Sequence, residues 1–207
     1  MGQRIQAVAG CVTTIAALAG ALTLILQATD GLSSFTSESW RRAQVARNPL
    51  PLPEAQLQDH EGRQFALADL CGRVLIVNFI YTRCASICRA LGSESAQLAA
   101  RLRALIEHDD VAVISISFDP QRDGPEQMSE YKRSMERGVT AWRIARPRRV
   151  EDKARLLETF GVVVIPDSYG GFDHNAALHV VDRSCRLVRI LDVDDIDAAA
   201  SLAQSLT

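Results

Sequence analysis

Hydrophobic and polar positions change rhythm along this chain, and each rhythm predicts an element. Between Arg4 and Asp30 lie 25 residues with no charge. About 20 apolar residues suffice for a helix to cross a bilayer. Residues 1–30 are therefore expected to be a single N-terminal transmembrane helix. Leu26-Gln27-Ala28 is a poor cleavage site, and the run is longer than a signal peptide needs, so the anchor reads as uncleaved. Val8-Ala9-Gly10-Cys11 resembles a lipoprotein box, but too little apolar sequence precedes it, and Cys11 reads as a membrane-helix residue.

Residues 31–53 are polar and end in Pro49, Pro51 and Pro53, the composition of a linker. Residues 54–207 then form the folded domain, long enough for one good core. Within it, 56–58 and 64–66 flank Glu61-Gly62 as a small N-terminal hairpin. Nearly continuous apolar runs at 73–81 and 111–118 predict strands buried on both faces. Helical periodicity covers 86–107, with Leu98, Leu102, Leu105 and Ile106 on one face. Further helices are expected over 125–137 and over 150–160, the latter stopped by Gly161, with a short strand at 142–145 between them. A hairpin over 176–193 turns at Arg183-Ser184, and a helix over 195–206 closes an α/β domain.

Charge and composition narrow the classes. The formal net charge is −2, so no basic field points to nucleic acid. The densest basic stretch, Arg143, Arg146, Arg148 and Arg149, reads as a solvated edge. Four of the five cysteines follow the anchor. That pattern suits an oxidising, extracytoplasmic space, read as a bacterial periplasm faced by an inner-membrane anchor.

The candidate chemistry begins with Cys84 and Cys88, four apart where a strand pattern gives way to a helix pattern. Residues at i and i+4 share a helix face, and a helix N-terminus favours thiolates. Such a pair closes a disulfide or binds one soft metal ion. His174 lies in Gly170-Gly171-Phe172-Asp173-His174-Asn175, just before the last hairpin. Two thiolates and one imidazole suit Cu(I), and the set also accepts Cu(II). Asp173 is placed to orient the imidazole. Asp119 ends the second strand on the side expected to face the cysteines, or simply begins a turn before Pro120. His179, inside a strand pattern, reads as a core residue, and His60 and His108 as solvated or capping residues.

After the N-terminal hairpin, the order β-α-β-α-β-α-β-β-α with paired cysteines after the first central strand resembles the thioredoxin fold. Four segments carry a closer likeness: Asp59-His60-Glu61-Gly62-Arg63; Val77-Asn78-Phe79-Ile80-Tyr81-Thr82-Arg83-Cys84 with Cys88; Asp119-Pro120-Gln121-Arg122-Asp123-Gly124-Pro125-Glu126; and Asp173-His174. The chain here resembles the Sco (SenC) family of copper-delivery and thiol-redox proteins, over roughly residues 54–193. The resemblance implies a thioredoxin-like three-layer sandwich with copper ligands Cys84, Cys88 and His174. Where many members have a proline after each motif cysteine, this chain has Ala85 and Arg89. Cys71 and Cys185 also replace residues usual in the family. In a thioredoxin-like sheet they would meet at the pole away from the motif, so a structural Cys71–Cys185 disulfide is expected.

The function implied is a membrane-anchored copper chaperone for the binuclear copper centre of cytochrome c oxidase. The partner would be that oxidase's copper-bearing subunit or another periplasmic copper or thiol protein. The alternative is a thiol–disulfide reductase using Cys84 and Cys88 as its redox pair. A peroxidase would need a proline-and-threonine frame around one cysteine, and no proline closely precedes Cys84.

Overall fold

The computed structural model describes residues 14, 17–24, 26–27, 36–84, 87–135 and 142–207, with backbone only for 87–89. Two compact units, Met1–Arg47 and Asn48–Thr207, are separable.

In the first unit, α1 (Ser37–Arg47) lies inside the stretch whose composition reads as linker. Thr36 and Ser39 begin it by exchanging backbone-to-hydroxyl bonds at 3.1 Å, which satisfies donors that a helix start leaves open. Glu38 then pairs with Arg41 and Arg42, both at 3.0 Å. More than half of the expected membrane anchor lies outside the described residues. Among the described residues, no helix is long and apolar enough to cross a membrane.

The second unit is built on an eight-stranded mixed sheet. Its strands are β1 (Leu50–Pro51), β2 (Gln56–Asp59), β3 (Gln64–Ala66), β4 (Val74–Ile80), β5 (Val111–Ser117), β6 (Trp142–Pro147), β9 (Leu178–Val181) and β10 (Arg186–Leu191). They lie in the order β1-β10-β9-β4-β5-β6-β2-β3. β4, β5 and β6 run parallel, and β9 joins β4 antiparallel. All seven residues of β4 are buried, as its apolar run predicts for a strand covered on both faces.

Alternation along β4 sets the layers. Asn78 points to one face, where its Nδ2 donates to Ser95 Oγ at 2.6 Å on α2 (Ile87–Arg101). Phe79 points to the other, where its ring lies 5.2 Å from Phe160 on α5 (Val150–Phe160). α4 (Pro125–Met135) and α6 (Ile196–Ser205) pack beside α2. The result is three layers, helix, sheet and helix.

Several boundaries differ from the sequence pattern. The helix expected over 86–107 divides at buried Leu102 into α2 and the short α3 (Arg103–Glu107). Main-chain bonds from Leu102 N to Leu98 O and from Ile106 N to Leu102 O cross the junction at 2.9 Å, so it is a loosened turn. α4 is described only to Met135. α5 ends at Gly161 in the left-handed region (φ 63°), as the sequence predicts. A two-stranded hairpin, β7 (Val164–Pro166) and β8 (Phe172–His174), was not expected. Its three-residue strands, half-buried to exposed, are too short to show a periodic pattern.

Candidate metal and thiol site

Register brings three segments to one end of the sheet. Ile80 pairs with Ser117, so the chains leaving β4 and β5 emerge together. Val77 pairs antiparallel with His179, so the segment entering β9 arrives at that same end. Cys84, Asp119 and His174 belong to these three segments.

The turn carrying Cys84 is fixed by a buried acid. Asp123 accepts from Thr82 N at 2.9 Å, from Thr82 Oγ1 at 2.6 Å and from Ser117 Oγ at 2.5 Å. It is fully buried. A buried carboxylate is tolerable where such donors surround it. Cys84 N closes the turn onto Tyr81 O at 3.3 Å, and Cys84 itself is 6% exposed. Cys88 lies in the first turn of α2, and its side chain is outside the described residues. The bond from Asn78 to Ser95 ties that helix to β4.

An aromatic cluster positions His174. Phe118 follows β5, and its ring packs 5.4 Å from Tyr81, 5.6 Å from Phe172 and 4.9 Å from His174. Such edge-on and tilted contacts add to area burial. The Tyr81 hydroxyl accepts from Phe172 N at 3.2 Å and lies 3.4 Å from Phe172 O. β8 is thereby attached to the residue that begins the cysteine turn. Gly171 permits the approach, because a Cβ there would fall 2.9 Å from the Tyr81 hydroxyl and 2.7 Å from Asp167 Oδ2. Asp167 Oδ1 also accepts from Tyr169 N and Gly171 N at 2.7 and 2.8 Å, shaping the β7–β8 turn.

Burial pushes the His174 imidazole below its ordinary pKa, while the Asn175 carbonyl and the Asp173 charge pull the other way. A neutral imidazole is the ligating form. Nδ1 lies 3.2 Å from Asn175 O. Donation there fixes the tautomer and leaves the ligating lone pair on Nε2. Asp173 is exposed, next to His174 on β8. Asp119 is 7% exposed and lies 3.5 Å from both Arg83 and Arg122. A guanidinium is thus anchored one residue before Cys84. Arg122 also donates to Gly170 O at 3.2 Å, joining the Asp119 loop to the β7–β8 turn.

Among the described residues, no three His, Cys, Asp or Glu side chains form a metal-holding group. Cys88, one of the three expected ligands, cannot enter that set. The described donors still match the chemistry expected of them: a buried cysteine sulfur and a neutral imidazole suit a soft cation. His179 stands apart, buried in the core between Phe79 and Phe160. Its ring nitrogens lie 3.2 Å from Val77 O and 3.1 Å from Phe160 O.

Cys71 and Cys185 are bridged at the opposite end of β4, with Cα atoms 5.3 Å apart. Sequence reasoning assigned no role at the site to Asp123 or Tyr81. Asp123 reads as a residue near a helix cap, and only the tertiary fold shows Thr82 beside it. Tyr81 reads as the end of a strand.

Comparison with known proteins finds relatives of this chain. The SCO1/SenC family model matches residues 52–207. An SCO1 protein homolog of Bacillus subtilis is 35% identical over 74 residues, 36% of this chain and 37% of the relative. The chain thus matches little more than a third of that relative's length. A SCO1/SenC family lipoprotein from Bacillus anthracis superposes with a TM-score of 0.68 at 21% identity, over 77% of this chain and 98% of the other. Bradyrhizobium japonicum ScoI, solved with copper bound, gives 0.63 at 25% identity, over 76% and 99%.

Proposed function

This chain belongs to the SCO1/SenC family, and on that premise we propose that it is a membrane-anchored copper chaperone whose Cys84, Cys88 and His174 hold the metal. Its recipient is the copper-bearing subunit of cytochrome c oxidase, met in the periplasm during assembly of the binuclear copper centre. The observation that carries the reading is the attachment of β8 to the cysteine turn. Tyr81 begins that turn and binds the backbone of Phe172, two residues before His174.

Copper is cargo here. Thiolates from Cys84 and Cys88 with the His174 imidazole form a soft set that retains Cu(I) yet yields it to competing soft ligands. Transfer is ligand exchange: an acceptor thiolate or thioether enters as one donor of this chain leaves. No electron moves. Asp173 and Asp119 act around the ligands, Asp173 on the imidazole and Asp119 through Arg83.

The Arg83 guanidinium favours the second reading, a thiol–disulfide reductase, because positive charge near a thiol promotes the thiolate. One thiolate of the pair attacks a partner disulfide and expels a partner thiolate. The other then resolves the mixed disulfide, so the partner is reduced and Cys84–Cys88 oxidised.

Anaerobic Cu(I) titration against a competing chelator separates the two. The reduced chain is expected to bind one Cu(I), with affinity falling about 100-fold or more in Cys84→Ser and His174→Ala. Disulfide exchange should survive His174→Ala. A wild-type chain that binds no Cu(I) would overturn the chaperone reading.

A further inference from the structure

A groove of about 770 Å³ opens beside the site, lined at one end by Asp119 and Phe172. That volume lies within the range of occupied binding sites. Its walls carry Arg122, Arg146, Arg148, Arg149 and Lys153, with Pro120, Pro147 and Val150 between them. Val150 is 70% exposed.

Two acids beside the groove are already engaged. Asp119 is held by Arg83 and Arg122. Buried Asp152 is held by Arg149 at 3.2 Å and Arg155 at 2.5 Å. Arg146 donates to neutral acceptors, Gln58 Oε1 at 2.8 Å and Pro120 O at 2.6 Å. Among the described residues Arg146, Arg148 and Lys153 form no ion pair with a carboxylate, in a chain whose formal net charge is −2. Cationic walls over apolar ground match an acidic segment with interspersed apolar side chains. A bilayer surface or a nucleic acid duplex would not enter a concavity of this size.

We propose that this groove docks an acidic, extended segment of the protein that receives copper, holding the recipient beside His174. The placement follows from β8: Phe172 lines the groove and His174 lies two residues on. Arg122 reaches from the groove to both Asp119 and Gly170, so the docking surface is continuous with the site. The proposal rests on the copper-delivery reading for the identity of the partner.

The test uses the full chain and a fluorescent, extended synthetic peptide alternating glutamate with valine. Anisotropy should show saturable binding that weakens with added salt. Arg148→Glu with Lys153→Glu should weaken it about tenfold, and Val150→Ser about threefold. A peptide with lysine in place of glutamate should not bind. Equal affinity in the charge-reversed variant, or equal binding of the lysine peptide, overturns the proposal. So does a charge-reversed variant that keeps the peptide but loses phosphatidylglycerol vesicles, which would assign these charges to a membrane. Cu(I) titration of the same samples separates the two readings. Peptide binding without copper binding removes the chaperone function and keeps the groove; copper binding without peptide binding removes the groove alone.

Discussion

Each end of β4 carries cysteines, and their surroundings differ. At the start of the strand, Cys71 and Cys185 close a bridge between exposed turns. The backbone there does the positioning: Gly72 (φ 89°) and Cys185 (φ 59°) occupy the left-handed region, and Gly72 N binds Arg183 O at 2.9 Å. At the far end of this seven-residue strand, Cys84 sits in a buried turn held by side chains: Asp123, Thr82, Ser117 and the Tyr81 cluster. One end is closed by a covalent link across a sequence separation of 114 residues. The other is organised by hydrogen bonds around Asp123 and by the aromatic cluster around Tyr81. The Cys71–Cys185 link holds its end whatever the neighbouring side chains are, whereas the far end depends on each member of a polar and aromatic network.

The comparison can be broken most forcefully at Asp123. Asp123→Ala leaves three donors unmet in a buried turn and should cost about 3 kcal/mol by chemical denaturation, with Cu(I) affinity falling too. A variant as stable as the wild type would show that the polar network does not organise that end. Next, Cys71→Ser with Cys185→Ser should lower stability by about 2–4 kcal/mol while Cu(I) affinity stays within a factor of about two, since additivity holds for distant sites. A large loss of copper binding in this variant would mean that the two ends are coupled.

Tyr81→Phe sharpens the contrast further. It removes the hydroxyl on Phe172 and keeps the ring packing, so stability should drop by about 1 kcal/mol. Copper affinity should weaken measurably as β8 loosens. If stability falls and affinity does not, the aromatic rings alone position His174.

The smallest effect belongs to neither end and serves as a control. His60, in the β2–β3 turn, has its pKa pushed below 6.5, chiefly by burial. Its neutral form is favoured in the folded state. The unfolded state therefore binds more protons between that lowered value and 6.5. The stabilisation is complete above about pH 6.5 and is lost as pH falls toward the folded value. Denaturation midpoints across this window should decline more in wild type than in His60→Asn, and parallel declines would remove His60 as the cause.

Much of this architecture is written locally. The apolar run at β4 and the stop at Gly161 are read from residue type and spacing because burial on both faces and a left-handed cap each demand particular side chains. The hairpin turn at Glu61-Gly62 is read in the same way. The surroundings of the basic stretch are not written locally. As a string, Arg143, Arg146, Arg148 and Arg149 read as a solvated edge, and Arg148 and Arg149 are indeed exposed. Only the fold adds Arg122 and Lys153 from other segments and hollows the space between them.

Sequence alone was enough for the central strands, most of the helices and the cysteine and histidine candidates, since these depend on short-range periodicity and side-chain chemistry. The tertiary structure alone decided that Asp123 would anchor Thr82 and that Tyr81 would hold Phe172, across separations of 41 and 91 residues. It also decided that β7 and β8 would pair. The first two contacts depend on how distant segments are brought together, and the hairpin on strands too short to carry a pattern, so neither is encoded in local periodicity.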